Sequence, residues 1–203
     1  MNIQTGKDAT FEEIHPYRIS RQTAQEPVFA PRVVWFTGLS GAGKSTVASG
    51  LNQLLVGRGV KTAMLDGESL RSGLCRDLGF GVQARAENVR RVAEVAALMA
   101  DAGITVLVAL ISPTRVARHF ARSIVGNERF VEVFVDVPLA VAESRNAREL
   151  CRTAPRGTHQ GFIGIDSPYE PPVFPELHLR NEEIDVAGAV EMIDAWLRRS
   201  VSG

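Results

Sequence analysis

The stretch GLSGAGKS, residues 38–45, decides the fold of this chain. It fits the pattern GxxxxGK[ST] at every required position. A short apolar run, VVWFTG at Val33 to Gly38, leads into it, and the residues that follow carry apolar side chains at helical spacing (Val47, Leu51, Leu54 and Leu55). Glycines in such a strand–loop–helix let successive backbone N–H groups point into one concavity at a helix N-terminus. The stretch therefore predicts a loop that cradles the phosphates of a nucleoside triphosphate.

The side chains of this loop have distinct expected roles. Lys44 is expected to neutralise charge on the β- and γ-phosphates, and the Ser45 hydroxyl is expected to ligate Mg²⁺. A chance glycine-rich turn is the alternative, and the flanking strand and helix argue against it. The residues expected to bind ATP are Gly38, Leu39, Ser40, Gly41, Ala42, Gly43, Lys44, Ser45 and Thr46.

Outward from the loop, apolar runs alternate with helical patterns along the chain. This alternation predicts an α/β fold with a parallel sheet covered by helices on both faces. The predicted strands are Val33 to Gly38, Val60 to Leu65, Ile104 to Ile111, Val131 to Val137 and a candidate short fifth strand, Glu176 to Asn181.

Two later helices have predicted caps. Ser112 and Pro113 have the residue types of an N-cap and a first helical position, and the helix after them would bury Val116, Phe120 and Ile124. Asp185 is expected to cap the last helix, whose inward residues would be Val186, Ala189, Ile193 and Trp196. Pro138 would open the helix that follows the fourth strand.

Composition excludes several classes of protein. Lys plus Arg and Asp plus Glu both number 23, so the formal net charge is zero and a general nucleic-acid binder is not expected. No stretch approaches the ~20 apolar residues that cross a bilayer, and the N-terminus has no apolar signal region. The two cysteines, Cys75 and Cys151, form neither a disulfide framework nor a CxxC pair. A reducing cytoplasm is the expected compartment.

The chain divides into an N-terminal arm, residues 1–30, and one domain, residues 31–203. The arm would lie on the domain or on a partner subunit, and a mobile tail is the open alternative. Within the domain, residues 145–175 are rich in Arg, Gly and Pro and have weak periodicity. A segment of this length between regular elements predicts a functional lid, whose arginines could supply charge to a transferring phosphoryl group.

A second ligand is indicated where the predicted strands end. Asp66 ends the second strand and could orient or deprotonate an attacking hydroxyl, or hold Mg²⁺ through water; the alternative is an Asx turn with Gly67. The stretch Leu70 to Arg91 is rich in arginine, which grips phosphate or sulfate oxygens. Phe80 lies between two glycines and could stack on a base, or could be a core aromatic beside a solvated helix face.

These residues resemble the adenylylsulfate kinase (APS kinase) family from about Val33 to Glu176. The matching blocks are WFTGLSGAGKST, LDG followed by Arg71, RDLGF at Arg76 to Phe80, RAENVRRVAEVAALMADAG at Arg85 to Gly103, ISP at Ile111 to Pro113, FVDVPL at Phe134 to Leu139 and GIDSPYE at Gly164 to Glu170. RDLGF and GIDSPYE are far more specific than the phosphate loop, which many kinases share.

The resemblance implies a three-layer fold of the P-loop NTPase type with five parallel strands and a lid. It implies transfer of the ATP γ-phosphate to the 3′-hydroxyl of adenylyl sulfate, in a cytosolic homodimer of sulfate assimilation. Lys44, Asp66 and Ser112 would be catalytic. The family's serine at the position of Ser112 is often described as a phosphoserine intermediate, but in-line transfer needs no such covalent step. The residues that would bind adenylyl sulfate are Asp66, Arg71, Phe80, Arg85, Asn88, Ile111, Ser112 and Phe162, with its adenine between the two phenylalanines.

Some positions depart from the family pattern. The family usually has DGDN where this chain has Asp66-Gly67-Glu68-Ser69, and Ser72 replaces a usual histidine. In the lid, Arg152 to Pro155 replaces a lysine-rich run, and Gln160 and Ile163 replace a lysine and a threonine. These changes remove positive charge from the acceptor side. A related kinase with another acceptor, and a weakly active nucleotide-binding partner of an ATP sulfurylase, therefore stay open as alternatives.

Overall fold

A computed structural model describes residues 30–145 and 168–199 of the chain. Within those residues, five parallel strands form one sheet in the order β2-β3-β1-β4-β5. The strands are β1 (Val33–Thr37), β2 (Thr62–Asp66), β3 (Thr105–Ala109), β4 (Phe130–Asp136) and β5 (Leu177–Arg180). The predicted α/β fold and its five strands are confirmed, with ends that move by at most two residues.

Helices connect the strands. They are α1 (Lys44–Gly57), α2 (Gly67–Ser72), α3 (Val82–Asp101), α4 (Arg115–Val125), α5 (residues 139–145, up to the end of the described range) and α6 (Val186–Arg199). The one-turn helix α2 was not predicted, because its six residues are too few to show a period. Asp185 caps α6 as predicted, since its Oδ1 accepts a hydrogen bond of 2.8 Å from the Gly188 N–H.

The sheet is buried on both faces, and the alternation along β1 shows why. Val34 and Phe36 pack with α1 and α6, in a cluster that includes Leu51 and Ile193. Val33 and Trp35 point to the other face, where the cluster contains α3 and α4. The predicted inward residues of α1 lie in the first cluster, and the apolar period of α3, which predicts Val89, Val92, Ala96 and Met99 as inward, matches the second. Val186 of α6, by contrast, is 37% exposed, and Val190 and Leu197 are buried instead.

The predicted start of α4 was wrong, and of its predicted inward residues only Ile124 packs against the core. Thr114, not Ser112, is the N-cap, and its Oγ1 accepts a hydrogen bond of 3.3 Å from the Ala117 N–H. Val116 is 79% and Phe120 49% exposed. The buried residues are Ala117, Arg118, Ala121 and Val125, because the small alanines allow α4 to lie close against α3 and the arginine reaches a buried carboxylate.

The parallel arrangement decides where ligands can bind. The carboxyl ends of all five strands lie at one edge of the sheet, and in such folds this edge holds the ligand crevice. The phosphate loop follows β1, Asp66 ends β2, and the segment 110–114 follows β3. Among the described residues, no helix is both long and apolar enough to span a membrane.

Candidate active site

The phosphate loop is shaped by glycines that no other residue could replace without strain. Gly38 has φ +148°, and a Cβ there would lie 2.3 Å from the Val135 carbonyl oxygen. Gly43, the N-cap of α1, has φ +94°, and its Cβ would lie 2.7 Å from Nδ2 of Asn181. Both values of φ fall in the region that side chains disfavour. The backbone of the loop can therefore pass close to its neighbours and leave its concave face free for phosphate oxygens.

Lys44 is the first residue of α1 and lies buried within the loop. Its Nζ donates hydrogen bonds to the carbonyl oxygens of Gly38 (3.1 Å) and Leu39 (2.7 Å). Burial lowers the pKa of Lys44 from 10.5 to about 8, although the nearby Asp66 carboxylate acts in the opposite direction. Because burial disfavours its charged form, this ammonium favours an anion beside it.

Ser45 and Asp66 meet across the ends of two neighbouring elements. The Ser45 hydroxyl donates a hydrogen bond of 2.5 Å to Oδ2 of Asp66, and Oδ1 of Asp66 accepts one of 3.0 Å from the Glu68 N–H. Asp66 thus caps α2, as the Asx-turn alternative requires, and faces the phosphate loop as well. Oδ1 therefore makes the turn with Glu68, and Oδ2 faces the phosphate loop, where the expected role toward a hydroxyl or Mg²⁺ stays a prediction.

These groups fit a magnesium nucleotide. A serine hydroxyl that donates its hydrogen bond to a carboxylate keeps its oxygen lone pairs for a cation, and oxygen ligands are what Mg²⁺ prefers. The concave loop and the Lys44 ammonium would bind the phosphate oxygens of the nucleotide. Mg²⁺ is usually bound by few protein ligands together with substrate phosphates, which suits a single serine hydroxyl beside a phosphate loop.

A cavity of about 1520 Å³ joins the phosphate loop to the acceptor side. It brings together most of the predicted site residues: Ser40, Gly41, Gly43, Lys44, Ser45, Thr46, Asp66, Arg71, Phe80, Arg85, Asn88, Ile111 and Ser112. Gly38, Leu39 and Ala42 do not line it. They serve the loop through backbone oxygens, which accept hydrogen bonds from Lys44 and, at Ala42, from Nδ2 of Asn181 at 2.7 Å.

Several lining residues were not predicted. The segment after β5 contributes Asn181, Ile184, Asp185 and Val186, and α5 contributes Arg145, whose Nη1 lies 3.5 Å from the Gly41 carbonyl oxygen. The rule that ligands gather at strand carboxyl ends, applied to the fifth strand, would have found the first group. Phe162 and most of the predicted lid lie outside the described residues.

The acceptor side is built on one face of α3. Arg85 and Asn88, three residues apart, are both buried and both line the cavity. The Asn88 Oδ1 atom is buried and accepts no hydrogen bond from any described group. A buried amide oxygen without a donor is costly in a folded protein, so it indicates a ligand that supplies one.

Arg71 and Phe80 form the outer wall of this side. The Arg71 guanidinium lies 4.6 Å from the Phe80 ring centroid and donates to the carbonyl oxygens of Leu78 (3.1 Å) and Gly79 (2.8 Å). Phe80 is 51% exposed, so it is not a core aromatic. Its ring faces the cavity edge, where a planar base could stack on it.

Two arginines of the same stretch form ion pairs. Arg90 pairs with Glu87 and Glu94, and Arg91 pairs with Asp77 and Glu87. Hydrogen bonds from Arg90 and Arg91 lower the pKa of Glu87 to about 2. Some arginines of this stretch therefore form ion pairs on the protein surface, and others face the ligand site. Among the described residues, only Arg71 and Arg85 of the stretch line the cavity.

Ser112 is buried at the end of the acceptor wall. Its Oγ accepts a hydrogen bond of 2.9 Å from Nε1 of Trp35, and its φ of 46° is in the left-handed region. Nearby, the Thr37 hydroxyl donates to the Ile111 carbonyl oxygen (2.8 Å) and lies 2.9 Å from the Tyr169 hydroxyl. Burial raises the pKa of Tyr169 to about 12, so this phenol stays protonated.

Comparisons with known proteins, by sequence and by fold, point to one family. A family model described as adenylylsulphate kinase matches residues 30–180. An adenylyl-sulfate kinase of Aeromonas salmonicida (strain A449) is 50% identical over 186 residues, covering 91% of this chain and 95% of that protein. One from Yersinia pestis is 47% identical over 201 residues, covering 98% and 94%. The structure of a Mycobacterium tuberculosis APS kinase in complex with AMPPNP and APS is 44% identical with a TM-score of 0.73, covering 81% of this chain and 96% of that one.

Proposed function

The chain belongs to the adenylylsulphate kinase family, and from that premise we propose that it transfers the γ-phosphate of ATP to the 3′-hydroxyl of adenylyl sulfate. The products are ADP and 3′-phosphoadenylyl sulfate, the activated sulfate of sulfate assimilation. The 3′-oxygen forms a bond to the γ-phosphorus, the bond from that phosphorus to the β,γ-bridging oxygen breaks, and the hydroxyl proton is released.

The cavity shared by the two halves of the site carries this proposal. Lys44 and Ser45 lie on one side of it, Arg85 and Asn88 lie on the other, and Asp66 lies between them. A transfer that is largely positioning and electrostatics needs little more than two ligands held in line. The cavity is large enough for two nucleotides, since a site for one drug-sized ligand is typically ~300–1,000 Å³.

Each side chain has a definite part in the transfer. Lys44 holds the phosphate oxygens and offsets the charge that shifts to the bridging oxygen. Magnesium, when bound, neutralises charge on the β- and γ-phosphates, and Ser45 would hold it. Direct in-line transfer needs no phosphorylated intermediate on Ser112, whose Oγ accepts a hydrogen bond from Trp35.

Asp66 acts mainly by orienting the 3′-hydroxyl. Both of its oxygens already accept hydrogen bonds, from Ser45 and from the Glu68 N–H, which fixes the carboxylate in one orientation. A loose transition state leaves the attacking hydroxyl nearly neutral until late, so a fixed acceptor for its proton is sufficient.

The acceptor is bound by charge and by stacking. Arg85 would face the phosphosulfate, Asn88 Oδ1 would accept a hydrogen bond from the adenosine moiety, and the adenine would stack on Phe80. Arg71, which also lines the cavity, holds Phe80 through its cation–π contact. Phe162 stays a prediction for the opposite face of the adenine.

An acceptor panel tests the proposed function. Initial rates of ADP release are measured with adenylyl sulfate, adenosine, AMP, gluconate and polyols at equal concentration. Adenylyl sulfate is expected to give the highest kcat/KM. A higher value for any other acceptor would favour the alternative of a diverged kinase, and ADP release no faster than without acceptor would end the proposal.

Assembly and compartment are separate proposals. We propose a homodimer in the cytoplasm, which the family resemblance supports and which suits an enzyme that consumes ATP. Sedimentation equilibrium should give twice the chain mass, and a single-chain mass at micromolar concentration would contradict it. Association with an ATP sulfurylase stays a prediction, which co-sedimentation of the two purified proteins tests.

A further inference from the structure

Arg118 is a buried cation that does not line the cavity. It lies on α4 with only 3% of its side chain exposed, behind the wall that Ile111, Ser112 and Pro113 form. A buried guanidinium is costly to desolvate and is retained only with several good partners. Its partners show what it holds.

The three edges of the Arg118 guanidinium contact three different parts of the chain. Nη1 donates to the Ser112 carbonyl oxygen at 2.6 Å, and Nη2 donates to the Glu170 carbonyl oxygen at 2.6 Å. Nε donates to Oε1 of Glu132 on β4 at 2.7 Å. The ion pair with Glu132 fixes the plane of the group, and that plane sets the positions of both carbonyls.

The Ser112 carbonyl belongs to a strained turn. With φ at 46°, Ser112 has a backbone conformation that a residue with a side chain adopts only where its surroundings enforce it. The surroundings here are the Trp35 indole on the hydroxyl and Arg118 on the carbonyl. Because Ser112 lines the cavity, the bond from Arg118 sets the shape of the acceptor wall.

The Glu170 carbonyl belongs to the segment 168–171. This segment is held against the same turn by the Glu170 N–H, which donates to the Pro113 carbonyl oxygen at 2.8 Å. The Glu170 carboxylate accepts a hydrogen bond of 2.8 Å from the Arg115 N–H at the start of α4. The centroid of the neighbouring Tyr169 ring lies 5.5 Å from Cζ of Arg118. Arg118 therefore ties the turn and the segment into one unit.

We propose that Arg118 is a positioning residue for the acceptor: it fixes the Ser112 turn and the 168–171 segment so that the acceptor wall is formed before adenylyl sulfate binds. This rests on the proposed function for the identity of the acceptor. Lysine could keep the charge opposite Glu132 but lacks the planar fork that reaches two carbonyls at once. The role is thus specific to arginine.

Arg122 offers a matched control. It lies one turn further along α4, pairs with Glu176 at 2.8 Å through both terminal nitrogens, and lies 3.7 Å from Oε2 of Glu132, the carboxylate that also pairs with Arg118. Among the described residues it makes no hydrogen bond to Ser112 or Glu170, so removing it weakens the same network of ion pairs and leaves the hydrogen bonds from Arg118 to the turn in place. Burial raises the pKa of Glu132, so a variant without Arg118 is best combined with Glu132→Gln.

The experiment compares Arg118→Lys, Arg118→Met with Glu132→Gln, and Arg122→Met with the unchanged chain. Both Arg118 variants are expected to raise KM for adenylyl sulfate about tenfold or more, while KM for ATP stays within about twofold. Arg122→Met is expected to lower Tm and leave both KM values near wild type. The indole N–H resonance of Trp35, assigned with Trp196→Phe, is expected to shift further in the Arg118 variants than in Arg122→Met, because Arg122 reaches Trp35 only through the Phe130 ring that stacks on it.

The outcomes separate this proposal from the function on which it rests. If the unchanged chain does not phosphorylate adenylyl sulfate, the proposed function fails, and the indole resonance still tests the tie to Ser112. If it does, and Arg118→Lys has wild-type KM for adenylyl sulfate, the positioning role is wrong. Equal rises in KM for both substrates, or loss of folding in both Arg118 variants while Arg122→Met folds, would also overturn it.

Discussion

The hydroxyl of Ser45 donates a 2.5 Å hydrogen bond to Oδ2 of Asp66, which joins the phosphate loop after β1 to the carboxyl end of β2. Through this bond the residue expected to hold magnesium and the residue expected to orient the acceptor hydroxyl are fixed relative to each other. A change at Asp66 should therefore affect both the acceptor hydroxyl and the magnesium ligand Ser45.

Asp66→Asn should lower kcat by about 100-fold, the order of effect of a positioned proton acceptor. It should also raise the Mg²⁺ concentration needed for half-maximal rate, because an amide at the same place is a poorer acceptor for the Ser45 hydroxyl. Steady-state kinetics with varied Mg²⁺ measure both. Asp136→Asn is the control, since Asp136 ends β4 and pairs with His178 at 2.9 Å. A wild-type kcat in Asp66→Asn would remove Asp66 from the mechanism.

Lys44 should take up a proton when the nucleotide binds. Burial sets its pKa at about 8 in the free protein, and bound phosphates raise that pKa, so at about pH 8.5 a largely neutral lysine becomes charged. Affinity for ATP should accordingly fall as the pH rises through this range. Calorimetric titration in buffers of different ionisation enthalpy measures the uptake.

Two variants control that measurement. Lys44→Met should abolish the proton uptake together with most of the affinity, while Lys61→Met, which removes an exposed lysine, should change neither. Binding heats that do not depend on the buffer in the unchanged chain would contradict the assignment.

Asn88→Leu should weaken the binding of adenylyl sulfate without lowering the thermal stability of the protein. The Asn88 Oδ1 is buried without a donor among the described residues, so removing it should leave Tm unchanged or higher. Affinity for adenylyl sulfate should fall about tenfold or more, because a hydrogen bond to the acceptor is lost. Asn52→Leu is the matched control. The Asn52 Oδ1 accepts a hydrogen bond of 2.6 Å from the Thr62 hydroxyl, so Asn52→Leu should lower Tm and leave the affinity for adenylyl sulfate unchanged. A lower Tm in Asn88→Leu would show that the amide serves the fold.

Phe80→Ala should raise KM for adenylyl sulfate about tenfold to 100-fold, since stacking of a base on an aromatic ring is worth ~1–3 kcal/mol. KM for ATP should stay unchanged. Val82→Ala removes another exposed apolar side chain two residues away and should affect neither KM. Equal effects of Phe80→Ala on both substrates would place the ring outside the acceptor subsite.

The sequence predicted what local chemistry dictates. The glycine and lysine spacing of residues 38–45 requires the loop geometry that is observed, and the apolar periods of α1 and α3 identify their buried faces. At Ser112, residue type suggested a helix cap, but the Ser112 hydroxyl oxygen accepts a hydrogen bond from the Trp35 indole, and Thr114 caps the helix. A contact between residues 77 positions apart leaves no local trace.

The face of α4 was mispredicted for a related reason. Val116 and Phe120 have the apolar spacing of an inward face, yet they are exposed because Arg118 turns inward to Glu132. A period search treats arginine as a surface residue and alanine as weakly apolar. It could not foresee that a buried ion pair and two small alanines determine the rotation of the helix.

The central claim is that one cavity holds both substrates in line across Asp66. A crystal structure with AMPPNP, Mg²⁺ and adenylyl sulfate tests it most directly. We expect the adenine on Phe80, the phosphosulfate beside Arg85, and the 3′-hydroxyl within hydrogen-bonding distance of Asp66, facing the γ-phosphate. Adenylyl sulfate bound elsewhere, or with its 3′-hydroxyl turned away from Asp66 and the γ-phosphate, would contradict the account.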